Sequence, residues 1–149
     1  MSVQLPPNST GQVVDTFTTV ASKERQAVIP PVNGQFNLFH IPAAATQATI
    51  SQAAGAAGVR NVATNLSFSI TTVGTAQTVI SVALRDGATG AGTVLWSKQF
   101  ILPVNSTISE NVPLPHVMGT AATAMTLEWS AAGVAASLES VSLSGYTTA

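Results

Sequence analysis

From Thr78 to Leu102 apolar and polar side chains alternate with a period of two on both sides of a loop that holds three glycines, Gly87, Gly90 and Gly92. Pleated backbone is the conformation that puts residues i and i+2 on one face, so this stretch reads as a β-hairpin. Before the loop, Thr78, Ile80, Val82 and Leu84 share one side while Val79, Ser81 and Ala83 share the other. After it, Val94, Trp96, Phe100 and Leu102 oppose Leu95, Ser97, Gln99 and Ile101. Arg85-Asp86-Gly87 and Gly90-Ala91-Gly92 supply the positions that tolerate positive φ, which a reversal requires. The loop exceeds a two-residue turn, so its tip is expected to be mobile or used for contact.

The same period recurs along the chain. Val62, Thr64, Leu66, Phe68, Ile70 and Thr72 fall on one face of a long half-buried strand, with Ala63, Asn65, Ser67, Ser69 and Thr71 on the other. Ser106, Ile108 and Val112 mark an edge strand, which Pro113 and Pro115 are expected to end. Met125, Leu127 and Trp129 point inward, and Thr126, Glu128 and Ser130 outward, with Ala131-Ala132-Gly133 as the turn. In the last segment Val141 and Leu143 disagree in parity with Leu138 and Tyr146, which predicts a bulge or a strand covered on both faces. Ala43 to Gly58 is rich in alanine, and a short helix is the alternative there. Gly55 and Gly58, with Thr46, Thr49, Ile50 and Ser51, favour a strand followed by a small-residue loop. Short strands separated by turn signals predict an all-β fold, an antiparallel β-sandwich that is jelly-roll-like.

Residues 1–42 carry five of the eight prolines and are expected to form an extended N-terminal arm, with the sandwich domain spanning 43–149. Within the arm, Gln12 to Ala21 is β-prone, and Asn33-Gly34 followed by Gln35 to Ile41 reads as a turn leading into a strand. These strands either complete the domain's own sheets or reach a neighbouring subunit. Ser22-Lys23-Glu24-Arg25-Gln26 is the one charge cluster and reads as a solvated turn.

Charge narrows the possible roles. Only 7% of residues are Asp, Glu, Lys or Arg, against roughly 25% in ordinary soluble proteins. With a net charge of −1 the chain has little colloidal protection, so it is expected to live in an assembly. Phosphate binding runs on clustered cations, and only Lys23 and Arg25 lie close together, so no nucleic-acid partner is expected. Polar residues interrupt every window of about 20 residues, which argues against a membrane span. The N-terminus has neither a basic nor an apolar signal region, so no secretory signal is expected. Cysteine is absent, and with it thiol chemistry.

Material for catalysis is thin. His40 and His116 have no second ligand at strand spacing and read as surface or hydrogen-bonded histidines. Asp86-Gly87-Ala88-Thr89-Gly90 offers one carboxylate, too few for calcium, and reads as a turn. Glu128 and Glu139 lie on neighbouring strands, but sequence spacing does not fix their separation. Trp96 and Trp129 would suit sugar stacking if exposed, yet both fall on the apolar parity, which favours core packing. No catalytic residue, cofactor or metal site is expected, and the chain reads as a non-enzyme.

Leu84 to Ser97, Ala124 to Gly133 and Leu138 to Tyr146 resemble small virion proteins of tailed bacteriophages, most of all capsid decoration, or cement, proteins. The resemblance covers roughly residues 45–146. It implies a structural role on the capsid exterior, synthesis in the host cytoplasm, a homotrimer, and the phage major capsid protein as partner. The competing expectation is a tail or fibre module that binds a host-surface glycan through loop 85–92 and Trp96.

Overall fold

The computed structural model describes residues 15–18, 24–27, 33–73, 78–131 and 137–149. Contacts divide the chain into two compact units, Met1–Val32 and Asn33–Ala149. In the first, β1 (Asp15–Thr18) pairs antiparallel with β2 (Glu24–Ala27), Phe17 standing opposite Arg25. Glu24, Arg25 and Gln26 of the charge cluster therefore stand in a strand; Ser22 and Lys23 lie outside the described residues, as do residues 1–14, 19–21 and 28–32 of the expected arm.

The second unit is an all-β sandwich of eight strands: β3 (Asn33–His40), β4 (Thr49–Gln52), β5 (Arg60–Thr71), β6 (Thr78–Asp86), β7 (Thr93–Leu102), β8 (Thr107–Met118), β9 (Met125–Trp129) and β10 (Leu138–Thr148). They form two antiparallel four-stranded sheets, ordered β3-β10-β5-β8 and β4-β9-β6-β7. The pairing is nested. β6 pairs with β7, β5 with β8, β4 with β9 and β3 with β10, so the unit is one long hairpin rolled up, which is jelly-roll topology. Lateral pairs β10-β5 and β9-β6 close the roll.

Strand β3 lies inside this unit, ten residues before the boundary expected from proline density. Its alternation, Phe36 and Leu38 against Gln35 and Asn37, matches a free flank of β10, so it completes a sheet of its own chain. Residues 43–58 hold strand β4 and a loop, with no helix. The turns expected at 73–76 and 131–133 lie largely outside the described residues.

Apolar faces meet between the sheets. Leu66, Phe68, Ile70, Val141 and Leu143 pack against Ile80, Val82, Leu84, Phe100, Leu102, Met125, Leu127 and Trp129. Phe68 is the centre of an aromatic cluster, with ring centroids 5.5 Å from Phe100, 5.5 Å from Trp129 and 6.1 Å from Trp96. Edge-to-face geometry at 85° between Phe68 and Trp129 sets a positive ring edge on a negative face. Trp129 is fully buried, and its Nε1–H donates to the Ser140 carbonyl at 3.3 Å, so the one polar atom of the indole is satisfied. Where the two sheets open at their edges, Lys98 of β7 reaches Glu110 of β8 at 2.7 Å and lies 5.2 Å from the Phe100 ring centroid.

Pro113 and Pro115 do not end β8, which runs through them to Met118. In an edge strand one row of N–H groups has no ladder partner, and these two prolines share the parity that puts both imino nitrogens in a single row.

Candidate functional site

Loop 87–92 connects β6 to β7 and folds back over the outer side of the second sheet. Glu128 alternates with Leu127 and Trp129 and so points away from the core, yet it is 1% exposed. The loop buries it. Arg85 Nε donates to Glu128 Oε1 at 2.5 Å, and the Gly90 N–H donates to the same carboxylate at 3.0 and 3.2 Å. Thr126 Oγ1 donates to the Gly87 carbonyl at 2.7 Å, and the Thr49 and Thr89 hydroxyls lie 3.0 Å apart. The tip is exposed, but its contacts are to its own sheet. Glycine is required at position 92, where a Cβ would meet the Asp86 carbonyl oxygen at 2.2 Å with φ at 81°.

The other polar candidates are also committed to the fold. The Asp86 carboxylate accepts from the Thr120 N–H at 2.9 and 3.0 Å and from its hydroxyl at 2.5 Å, which is a turn lock. Glu139 is buried and accepts the Ala48 N–H at 2.8 Å, whereas Glu128 takes Arg85, so the two carboxylates do different structural work. His40 Nδ1 accepts the Thr49 N–H at 3.3 Å, tying β3 to β4. His116 Nδ1 lies 3.3 Å from the Tyr146 hydroxyl, with the rings 5.9 Å apart. Trp96 is half-buried against Phe68. Among the described residues no three of His, Asp and Glu gather at metal-binding distance.

Among the described residues two features open to solvent stand out. The first is the outer face of the β3-β10-β5-β8 sheet. Its consecutive cross-strand rows read Phe39–Ser142–Ser67–Asn111, then Ser140–Ser69–Ser109, then Leu138–Thr71–Thr107, with no charged side chain among them. Phe39 is 74% and Ile41 67% exposed at one margin, and Leu138 stands at its end. On the second sheet Val79 and Ile101 form a directly opposed pair, 68% and 60% exposed. Exposed apolar groups set within uncharged hydroxyls make a surface cheap to dehydrate.

The second is a cleft of about 580 Å³ lined by Gln35, Phe36, Asn37, Thr64, His116, Ser144, Gly145 and Tyr146. Sequence alone did not single it out, because it arises where neighbouring strands lose register together. β5 and β8 shift between Ala63 and Asn65, β10 shifts against β5 between Ser144 and Gly145, and β10 shifts against β3 between Gly145 and Thr147. His116, with φ at 55°, lies in the same region of β8. The mixed parity of the last segment was the one sequence signal of this irregularity.

No known protein family matches the chain, and no curated protein does. Among the solved structures that bear a likeness to it are two of assembled proteins. One is a Bacillus endospore appendage, described as belonging to a novel family of disulfide-linked pili, with 13% identity, 97% of this chain and 98% of that chain covered, and a TM-score of 0.27. The other is a Nora virus structure, with 14% identity, 93% and 76% covered, and a TM-score of 0.29. At these TM-scores neither likeness carries an argument about role.

Proposed function

We propose that this chain is a non-enzymatic structural protein of a virion, a decoration protein that sits on the capsid exterior of a tailed phage as a homotrimer and bridges capsomers. One observation carries the reading: three consecutive rows of the outer sheet face hold no charged side chain and are bordered by exposed Phe39, Ile41 and Leu138. Such a face loses little hydration energy when covered, and it presents no like charges to a second copy or to a capsid surface. The low charge of the whole chain supports the same reading, since a protein with so little electrostatic protection is suited to permanent assembly.

The alternative reading is a tail or fibre module that binds a host-surface glycan through loop 85–92 and Trp96, and two contacts weigh against that placement. That loop is bonded to Glu128 and Thr126, and Trp96 packs on Phe68.

Light scattering of the full-length chain tests self-assembly. A trimer that Phe39→Ser or Leu138→Ser dissociates, without loss of thermal stability, supports the proposal; a wild-type monomer at all working concentrations overturns the trimer. Cryo-electron microscopy of the virion tests location, because density for this chain confined to the tail removes the capsid role.

A further inference from the structure

The cleft at the register breaks has the lining of a ligand site. We infer that it binds a neutral hexopyranose unit, as found in an uncharged surface glycan.

The argument begins with how the cleft is made. A bulge adds a residue to one strand and re-aims the side chains beside it, and three successive strand pairs of the sheet shift register at one level. Thr64 is the unpaired residue of β5, and its hydroxyl donates to the Ser144 carbonyl at 3.3 Å. Gly145 is obligatory: a Cβ there would meet the Val62 carbonyl oxygen at 2.0 Å and the Phe36 ring at 2.7 Å. The missing side chain lets Phe36 lie against β10. Phe36 packs inward on the core, and the aromatic wall is built from Tyr146 and His116, whose rings meet 5.9 Å apart beside the depression.

The polar groups decide the ligand class. Gln35, Asn37, Thr64 and Ser144 are amides and hydroxyls, and no carboxylate, lysine or arginine lines the cleft. Ser144 Oγ donates to Asn37 Oδ1 at 3.0 Å, which fixes the amide orientation. Among the described residues the Asn37 amide nitrogen and the Gln35 side chain make no hydrogen bond of their own. Both can serve a ligand. A pyranose offers what this lining matches: an apolar C–H face for an aromatic ring, and a rim of hydroxyls for amides and alcohols. A phosphate or carboxylate ligand would find no lysine or arginine in the lining, and an extended apolar ligand would leave the amides dehydrated and unpaired.

The inference does not rest on where in a virion the chain sits, and its test is separate from the assembly test. Saturation-transfer-difference NMR on the full-length chain, with glucose, galactose and N-acetylglucosamine as probes, reads it directly. The expected result is transfer to the ring C–H protons of at least one sugar and a shift of the His116 imidazole signals. Tyr146→Ala and Asn37→Ala should each weaken binding by about tenfold. Tyr146→Phe, which keeps the ring, should retain transfer, while Val79→Ser, on the other sheet, should leave it unchanged. No transfer from any of the three sugars at millimolar concentration overturns the inference, as does transfer that persists undiminished in folded Asn37→Ala and Tyr146→Ala.

Discussion

Arg85 and Glu128 meet 2.5 Å apart on the outer side of the second sheet, with the Glu128 side chain 2% exposed and that of Arg85 22%. Their strands are adjacent, Arg85 standing opposite Thr126 and Ala83 opposite Glu128, so the pair is diagonal across the ladder. The Gly90 N–H completes the carboxylate's shell. Removing the cation leaves a buried carboxylate short of a partner, which costs about 3 kcal/mol. Arg85→Ala should therefore lower the midpoint of thermal unfolding by about 6 to 12 °C for a chain of this size. Glu128→Gln keeps an acceptor for Gly90 and lets the partly exposed guanidinium reach solvent, so its cost should be nearer 1 kcal/mol. Calorimetry of both variants checks the ordering.

Hydrogen exchange addresses the loop directly. The Gly90 amide in the wild type should be protected well beyond an exposed loop amide, because Glu128 holds it. Glu128→Ala should remove that protection while leaving the amides of β5 slow. Equal exchange at Gly90 in both proteins would show that the loop is not tethered.

Phe68 touches both tryptophans and Phe100, so its ring is the common neighbour of the aromatic core. Phe68→Ala should cost about 4 kcal/mol. Because Trp96 and Trp129 lose the same partner, the near-ultraviolet circular dichroism of both should collapse together. Retention of the wild-type spectrum would place the aromatic order elsewhere.

Gly145→Ala tests the tightest glycine. A methyl group there must displace either the Val62 carbonyl or the Phe36 ring, and overpacking of this kind costs about 3 kcal/mol. Denaturant unfolding should report that loss, whereas Gly58→Ala, where a Cβ meets nothing within 4 Å, should carry only the smaller strain of its positive φ.

Truncation distinguishes the two boundaries. A chain beginning at Asn33 keeps β3 against β10 and should unfold cooperatively, whereas one beginning at residue 43 lacks the β3 partner of β10 and should melt at a lower temperature or fail to fold. Equal midpoints would mean that β3 contributes nothing to the sandwich.

Much of the fold was legible in the sequence. The alternation over Val62 to Thr72 and Thr78 to Leu102 identifies the faces that become core, because one side of each sheet is buried and the other is not. The differing parity of Val141 and Tyr146 pointed to an irregularity in this region, but the extra residues lie in β5 and β3, the partners of the last strand, and not in that strand itself. What was hidden depended on neighbours. Pro113 and Pro115 read as terminators even of an expected edge strand, until pairing shows that β8 continues through them to Met118. Glu128 reads as a solvated outward residue until loop 87–92 is known to fold over it. The cleft required the simultaneous slippage of three strands, a property of pairing that no single strand encodes.

The nested pairing also bears on how the chain acquires its shape. Within the sandwich β6 and β7 meet across a short loop, and every nested pair outward from them closes a longer one, up to β3 with β10. The entropy of closure therefore favours assembly from residues 78–102 outward, and the relatively non-local contacts place the domain among slow folders. Strand β10 sits between β3 and β5, so during synthesis that sheet has a gap in its middle until β10 leaves the ribosome. Until then β3 and β5 have no strand between them, and their unpaired backbone is open to pairing with other nascent chains.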